Sequence, residues 1–331
     1  MKHIDAANYL ATLATRRQPY HDGYYAMYSS VLDGIVTDPL LMQLPVDDHL
    51  VHRGDGVFDT CKCVDGAIYN FAAHLARLER SAAAIGIRWA AGMEAVGRLA
   101  VATTRAGGRP DCCVRIVLAR GPGGFGVNPY ESPTPALYVV VYAINEPFMR
   151  RHPAGGTVRR STVPAKPAAM AEIKNCNYLP NVLMKREAVD WGVDFVVGYD
   201  ADGNLTEGAT ENVGLVTHDG ELAFPRLENI LAGTTMLRLA ELARGLTCTG
   251  ELRAVSFRDI GEDEVRQAAE LLAVGTTINV AALCTYEGQP VGSGRPGPVW
   301  RRLEPMLDDD IRKNPAMRTP VFGEGKVSCS R

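Results

Sequence analysis

The sequence predicts a two-domain α+β protein, and three observations carry that expectation. The chain is 331 residues long, enough for two domains of ordinary size and a sizeable core. Apolar runs of strand length are interleaved with runs at helical spacing in both halves, so neither an all-helical nor an all-strand class fits. Between Asn145 and Gly156 the chain carries Pro, Arg and Gly without a period, which reads as a linker over residues 147–155. The expected division is a helical extension over 1–22, a smaller α+β domain over 23–146, the linker, and a larger domain over 156–331.

Ile4, Ala7, Leu10 and Leu13 recur at helical spacing and predict an amphipathic helix over 3–17, packed on the body or on a partner. Strand-like runs follow over 24–32, 57–64 and 67–71, the last two joined by Asp65-Gly66, a strong hairpin signal. Helices are expected over 71–85, stopped by Gly86, and over 93–104, then strands over 113–119 and 137–144. The larger domain is read as strand 157–163, helix 179–188, strand 195–198, strand 213–217 and strand 222–225, with turns at Asp202-Gly203 and Asp219-Gly220. It continues as helix 235–244, strand 252–256, a short helix over 262–268, strand 271–275 and helix 298–312, with an irregular tail from Asn314.

Composition excludes several classes of function. A net charge of -3 gives no reason to expect nucleic acid or an anionic membrane surface. The N-terminus has no apolar stretch long enough for a signal peptide, and no later segment approaches a bilayer span, so the cytoplasm is the expected location. Eight cysteines without paired zinc-type spacing argue against a metal and against a disulfide framework. Cys61 and Cys63 alternate along an expected strand and Cys112 neighbours Cys113, which reads as buried thiols.

The chemistry concentrates around Lys174, in Glu172-Ile-Lys174-Asn-Cys-Asn-Tyr178, where apolar and aromatic neighbours favour a neutral, nucleophilic amine. Further on lies Leu205-Thr-Glu207-Gly-Ala-Thr-Glu211-Asn212. A reactive amine, a phenol and a separate carboxylate are what a pyridoxal phosphate site needs, the carboxylate facing the ring nitrogen. Glu211 and Asn212 read as supports of the loop. Phosphate requires donors, and Gly233-Thr234-Thr235 opens an expected helix while Gly275-Thr276-Thr277 follows an apolar strand. Arg77, on the helix His74-Leu-Ala-Arg77-Leu-Glu-Arg-Ser81, adds a guanidinium fork.

Taken in order, these elements resemble the fold-type IV pyridoxal phosphate enzymes, the class of branched-chain and D-amino-acid aminotransferases. The resemblance spans nearly the whole chain. Gly54-Asp-Gly-Val-Phe58-Asp59 and His74-Leu-Ala-Arg77-Leu match two signatures of that class, and Ala26-Met-Tyr-Ser-Ser-Val, Asp47-Asp-His-Leu-Val-His-Arg53 and Asn177-Tyr-Leu-Pro-Asn-Val-Leu183 look like its plant D-amino-acid branch. It implies a smaller N-terminal α/β sandwich and a larger C-terminal pseudo-barrel. It further implies a homodimer, pyridoxal 5'-phosphate held by Lys174 as a Schiff base, Tyr178 near the phenolic oxygen, and Glu207 on the pyridine proton. Arg77, Thr235, Thr276 and the amide of Thr234 would bind the phosphate. The reaction implied is transfer of an amino group from an amino acid to a 2-oxo acid.

Substrate recognition is less determined. Arg53 stands where branched-chain enzymes carry a tyrosine, and could pair with a substrate carboxylate or sit in an ion pair inside its own domain. Arg120-Gly121 resembles the turn before the carboxylate trap of bacterial D-amino-acid enzymes, yet the trap positions are Phe125 and Val127. Phe58 leans toward the branched-chain pattern, and Thr277 joins Arg53, Phe58 and Arg120 as a candidate substrate contact. The run Arg115 to Gly124 also looks like aminodeoxychorismate lyases, an alternative of the same fold. A non-catalytic binding protein on this scaffold is the third reading.

Overall fold

The computed structural model describes residues 1–322, and these form two units. One comprises Met1–Ile144 together with the described residues from Arg318 on; the other is Asn145–Met317.

The first unit begins with helix α1 (Ala6–Ala14), whose Asp5 N-cap accepts from the Asn8 amide while the Asn8 side chain answers the Asp5 amide. None of its residues is buried, though Leu13 is half-buried and Tyr9 Oη donates to Gln43 Oε1. Next come β1 (Tyr24–Ser29), β2 (Gly34–Val36), α2 (His49–Arg53), β3 (Gly56–Val64), β4 (Ala67–Tyr69), α3 (Phe71–Ala84), α4 (Gly92–Gly107), β5 (Cys112–Ala119) and β6 (Ala136–Tyr142). Asp65 and Gly66 both have positive φ, 49° and 75°, the geometry of a tight two-residue hairpin, and Val64 faces Ala67 across it. Asp59, Cys61 and Cys63 alternate onto one fully buried face of β3, where α3 lies with Phe71, His74, Arg77, Leu78 and Ser81 turned inward. The thiols are buried as expected.

The second unit holds α5 (Phe148–Arg151), β7 (Gly156–Arg160), α6 (Ala168–Ala171), α7 (Leu179–Asp190), β8 (Phe195–Tyr199), β9 (Leu205–Gly208), β10 (Asn212–Val216) and β11 (Glu221–Phe224). It continues with α8 (Thr234–Cys248), β12 (Ala254–Phe257), α9 (Glu262–Arg266), β13 (Glu270–Gly275), β14 (Asn279–Tyr286), β15 (Gln289–Pro290) and α10 (Pro298–Lys313). Strands run in the order β10-β13-β14-β7-β8-β9, and β9 pairs back onto β10, so six strands close on themselves while β11 and β12 extend from β10. Closure depends on one register pair, Asn212 opposite Glu207. Val197, Leu205, Val213, Leu215, Leu271, Ala273, Ala281 and Leu283 fill the core of this unit.

Two sequence expectations are corrected. The segment read as a linker carries α5, and its Phe148 and Met149 are buried in the core of the second unit. The tail read as irregular from Asn314 contains β16 (Arg318–Pro320), which pairs with β4 and therefore belongs to the first unit, whose sheet runs β16-β4-β3-β5-β6-β1-β2. A three-residue strand ending in proline has no pattern of its own; the edge of β4 makes it a strand. The rest of that expected tail, residues 323–331, lies outside the described residues.

Candidate active site

Four segments converge at the rim where the six-stranded ring closes: the end of β9, the end of β13, and the starts of α7 and α8. Lys174 precedes α7, and its Nζ donates to Tyr178 Oη at 3.1 Å. Asn181, one turn further along and 5% exposed, donates from Nδ2 to Ala209 O at 2.6 Å. That bond ties the start of α7 to the loop after Glu207.

Glu207 is positioned from both sides. Its Oε2 accepts from the Leu231 amide at 3.1 Å, and Asn212 Nδ2 donates to Leu231 O at 2.9 Å. Asn212 thus supports the loop, as the sequence suggests. Glu207 Oε1 is buried and accepts no hydrogen bond among the described residues, although the Lys166 ammonium stands 3.0 Å away as an ion-pair partner. Sequence reasoning missed Lys166. Its Nζ also lies 5.7 Å from the centroid of the Tyr178 ring, whose other neighbour is Lys174 Nζ at 5.5 Å.

The two Gly-Thr-Thr turns meet. Thr235 Oγ1 and Thr276 Oγ1 are 3.5 Å apart, and Thr234 and Thr235 are 5% and 4% exposed in the first turn of α8. Gly233 is the N-cap of that helix, so no side-chain oxygen caps it, and the positive end of a 15-residue helix is directed at this place. A Cβ on Gly233 would meet Asn212 Oδ1 at 1.8 Å, hence the glycine. Thr277 is exposed.

The remaining candidates lie in the first unit. On α3, Arg77 donates from Nε and Nη2 to the two oxygens of Asp59, both at 2.8 Å, and His74 Nδ1 stands 2.7 Å from Asp59 Oδ1. Burial pushes the Asp59 carboxyl up, but Arg77 and His74 outweigh it and hold the group well below the usual carboxylate range. Arg115 stacks over the Phe58 ring at 5.4 Å.

Arg53 is in no ion pair among the described residues. Its donors go to carbonyls, His52 O at 2.8 Å, Phe125 O at 2.7 Å and Gly126 O at 3.2 Å, so it fastens the glycine-rich loop after β5. Arg120 is likewise engaged, with Nε 2.9 Å from Asp55 Oδ2 and Nη2 donating to Ile85 O at 2.6 Å. Phe125 and Val127, at the positions of the bacterial trap, are 60% and 78% exposed and carry no donor.

The family model for class IV amino-transferases matches residues 56–285. The chain belongs to the class IV aminotransferases. A chloroplastic D-amino-acid transaminase of Arabidopsis thaliana is 37% identical over 88% of this chain and 78% of that protein. A bifunctional aminodeoxychorismate lyase / D-amino acid transaminase of Mycobacterium tuberculosis is 31% identical over 70% of this chain and 84% of its own length. Among solved structures, a branched-chain amino acid aminotransferase from T.th. with pyridoxamine 5'-phosphate superposes with a TM-score of 0.83 at 23% identity, covering 90% of this chain and 99% of that one.

The two-unit α+β architecture is thus that of fold-type IV enzymes. Class IV aminotransferases are transaminases dependent on pyridoxal phosphate, and two observations here fit that group. Glu207 Oε1 is a buried carboxylate oxygen with a lone pair to spare beside Lys166, suited to a pyridine N–H. The glycine-capped start of α8, with two hydroxyls beside it, suits a phosphate. Among the described residues no helix is long and apolar enough to cross a membrane.

Proposed function

We propose that Lys174 is the amine that holds pyridoxal phosphate covalently in this aminotransferase. Once the amino group of the substrate has displaced it from the cofactor, the freed Nζ would take the proton from the α-carbon of the amino acid and return it during the half-reaction with a 2-oxo acid. The bound cofactor supplies the electron sink for the bond broken at that carbon. Tyr178 Oη, 3.1 Å from Lys174 Nζ, orients the amine. Glu207 accepts the pyridine N–H at Oε1. Thr235, Thr276 and the Thr234 amide hold the phosphate, and Arg77 enters as a further phosphate ligand on the family resemblance. The observation that carries this reading is the meeting of the Lys174–Tyr178 pair, the buried Glu207 oxygen and the paired threonines at one rim of the ring.

D-amino acids are the donors proposed first, on the 37% identity to a protein named a D-amino-acid transaminase. Without the trap at Phe125 and Val127, the carboxylate must be recognised by other groups. A second reading, aminodeoxychorismate lyase, is favoured by the double name of the mycobacterial relative. One experiment separates them. Keto-acid formation from D-amino acids that requires 2-oxoglutarate supports the transaminase, with branched-chain L-amino acids as the comparison. Pyruvate released from aminodeoxychorismate without any acceptor, and no transfer from either set of amino acids, would favour the lyase.

Assembly as a homodimer in the cytoplasm completes the proposal. Light scattering should return twice the chain mass, and fractionation should find the protein in the cytosol. A further expected result concerns the phosphate site. Gly233→Ala forces Asn212 Oδ1 aside, which disturbs the Asn212–Leu231–Glu207 chain and the start of α8 together. Affinity for pyridoxal phosphate should fall about tenfold, the worth of roughly one hydrogen bond, by titration of the apoprotein.

A further inference from the structure

We propose that Lys166 is a second functional lysine of this site, a positioning residue that sets the charge at the pyridine end of the cofactor. The inference rests on the reading of Glu207 given above. Lys166 lies in Val163-Pro164-Ala165-Lys166-Pro167 between β7 and α6, and its Nζ stands 3.0 Å from Glu207 Oε1 with the two side chains 20% and 13% exposed.

Its place is built rather than incidental. Prolines at 164 and 167 fix φ and stiffen the loop. The start of the loop is held by α7, where Glu187 accepts from Ser161 Oγ at 2.5 Å and from the Thr162 amide at 3.2 Å. Exposed surface lysines gain little from ion pairs, but this pair is largely screened from water, where a charge acts over a longer range.

Most of the other charged groups near Lys166 are paired elsewhere. It lines a polar cleft of about 870 Å³ together with Arg160, Asp200, Asp202, Glu262, Arg266 and Glu287. Arg160 and Arg266 both pair with Glu262, and Glu287 takes Arg159. Asp200 accepts from the amides of Asp202 and Asn204, and Asp202 is exposed. Among the described residues Glu207 is the acid that Lys166 pairs with, and Tyr178 is the ring it faces.

Consequently two cations share one carboxylate once a protonated pyridine ring is bound. The Lys166 ammonium opposes further positive charge on the ring and on its linkage to Lys174, and so lowers the pH at which that linkage loses its proton. A carboxylate oxygen carries two lone pairs, so Oε1 can face the Lys166 ammonium and still accept from the pyridine N–H.

The test is a pH titration of the visible absorbance of the cofactor-loaded protein, wild type against Lys166→Met and Lys166→Arg. Removing the charge should raise the midpoint by about one pH unit, whereas Lys166→Arg should keep it within roughly 0.3 unit of wild type. Lys166→Gln, which also removes the charge, gives the same reading should the methionine disturb folding. Equal midpoints for wild type and the neutral variants, or equal shifts for the arginine and neutral variants, overturn the proposal. A wild-type protein with no visible band would instead overturn the reading of the site on which it stands.

Discussion

Lys174→Ala is expected to stay colourless when mixed with pyridoxal phosphate and to lose at least ~10³-fold in transamination rate, since both the covalent anchor and the proton carrier disappear. Lys174 is only half-buried and its hydrogen bond to Tyr178 is local to the start of α7, so the fold should survive. The check pairs a visible spectrum and a rate with a thermal melt. A variant that kept its colour and its turnover would show that another amine does the work. Lys166 is then the first to consider, because it flanks the same Tyr178 ring.

Asp59→Asn is expected to destabilise the protein by about 3–5 kcal/mol, the usual consequence of removing one partner from a buried ion pair. Asp59 is 0% exposed, and its loss leaves the Arg77 guanidinium and the His74 ring without the carboxylate that both engage. The pH dependence has a definite sign. The folded carboxyl is held below its unfolded value of about 3.9, so its contribution is complete above that pH and is lost as pH falls toward the lowered folded value. Urea melts between pH 6 and pH 3 should therefore show wild-type stability falling below about pH 4, and Asp59→Asn should flatten that fall. Equal slopes in the two proteins would remove Asp59 from the account.

What was legible in the sequence followed from local signals. Asp65-Gly66 marked one hairpin because that pair tolerates two positive φ angles in succession, and β3 and β4 followed from it. Helix α3 was legible from its stop at Gly86, whereas the inward turn of Arg77 onto Asp59 was not. The family pattern picked out Lys174, Tyr178, Glu207 and both threonine turns.

The misses share a physical cause, which is long-range closure. Strand β9 is four residues ending in glycine, and it becomes a strand only by lying between β8 and β10. Helix α2 is a five-residue turn whose Arg53 finds its carbonyls 72 and 73 residues away, so no local window could reveal its role. The same holds for Arg120, committed to Asp55 and to the end of α3. Lys166 had one weak local signal, the prolines around it, but its meaning appears only when β7, β8 and β9 bring it to Glu207. Strand β16, likewise, is specified by β4 and not by itself.

The central claim is that Lys174 is the amine that carries the cofactor. Borohydride reduction of the loaded protein, followed by digestion and mass spectrometry, reads that amine directly. The account predicts the phosphopyridoxyl mass on the peptide containing Lys174 and on no other, in proportion to the colour lost. The same mass on Lys166, or on any other lysine with Lys174 unmodified, would contradict it.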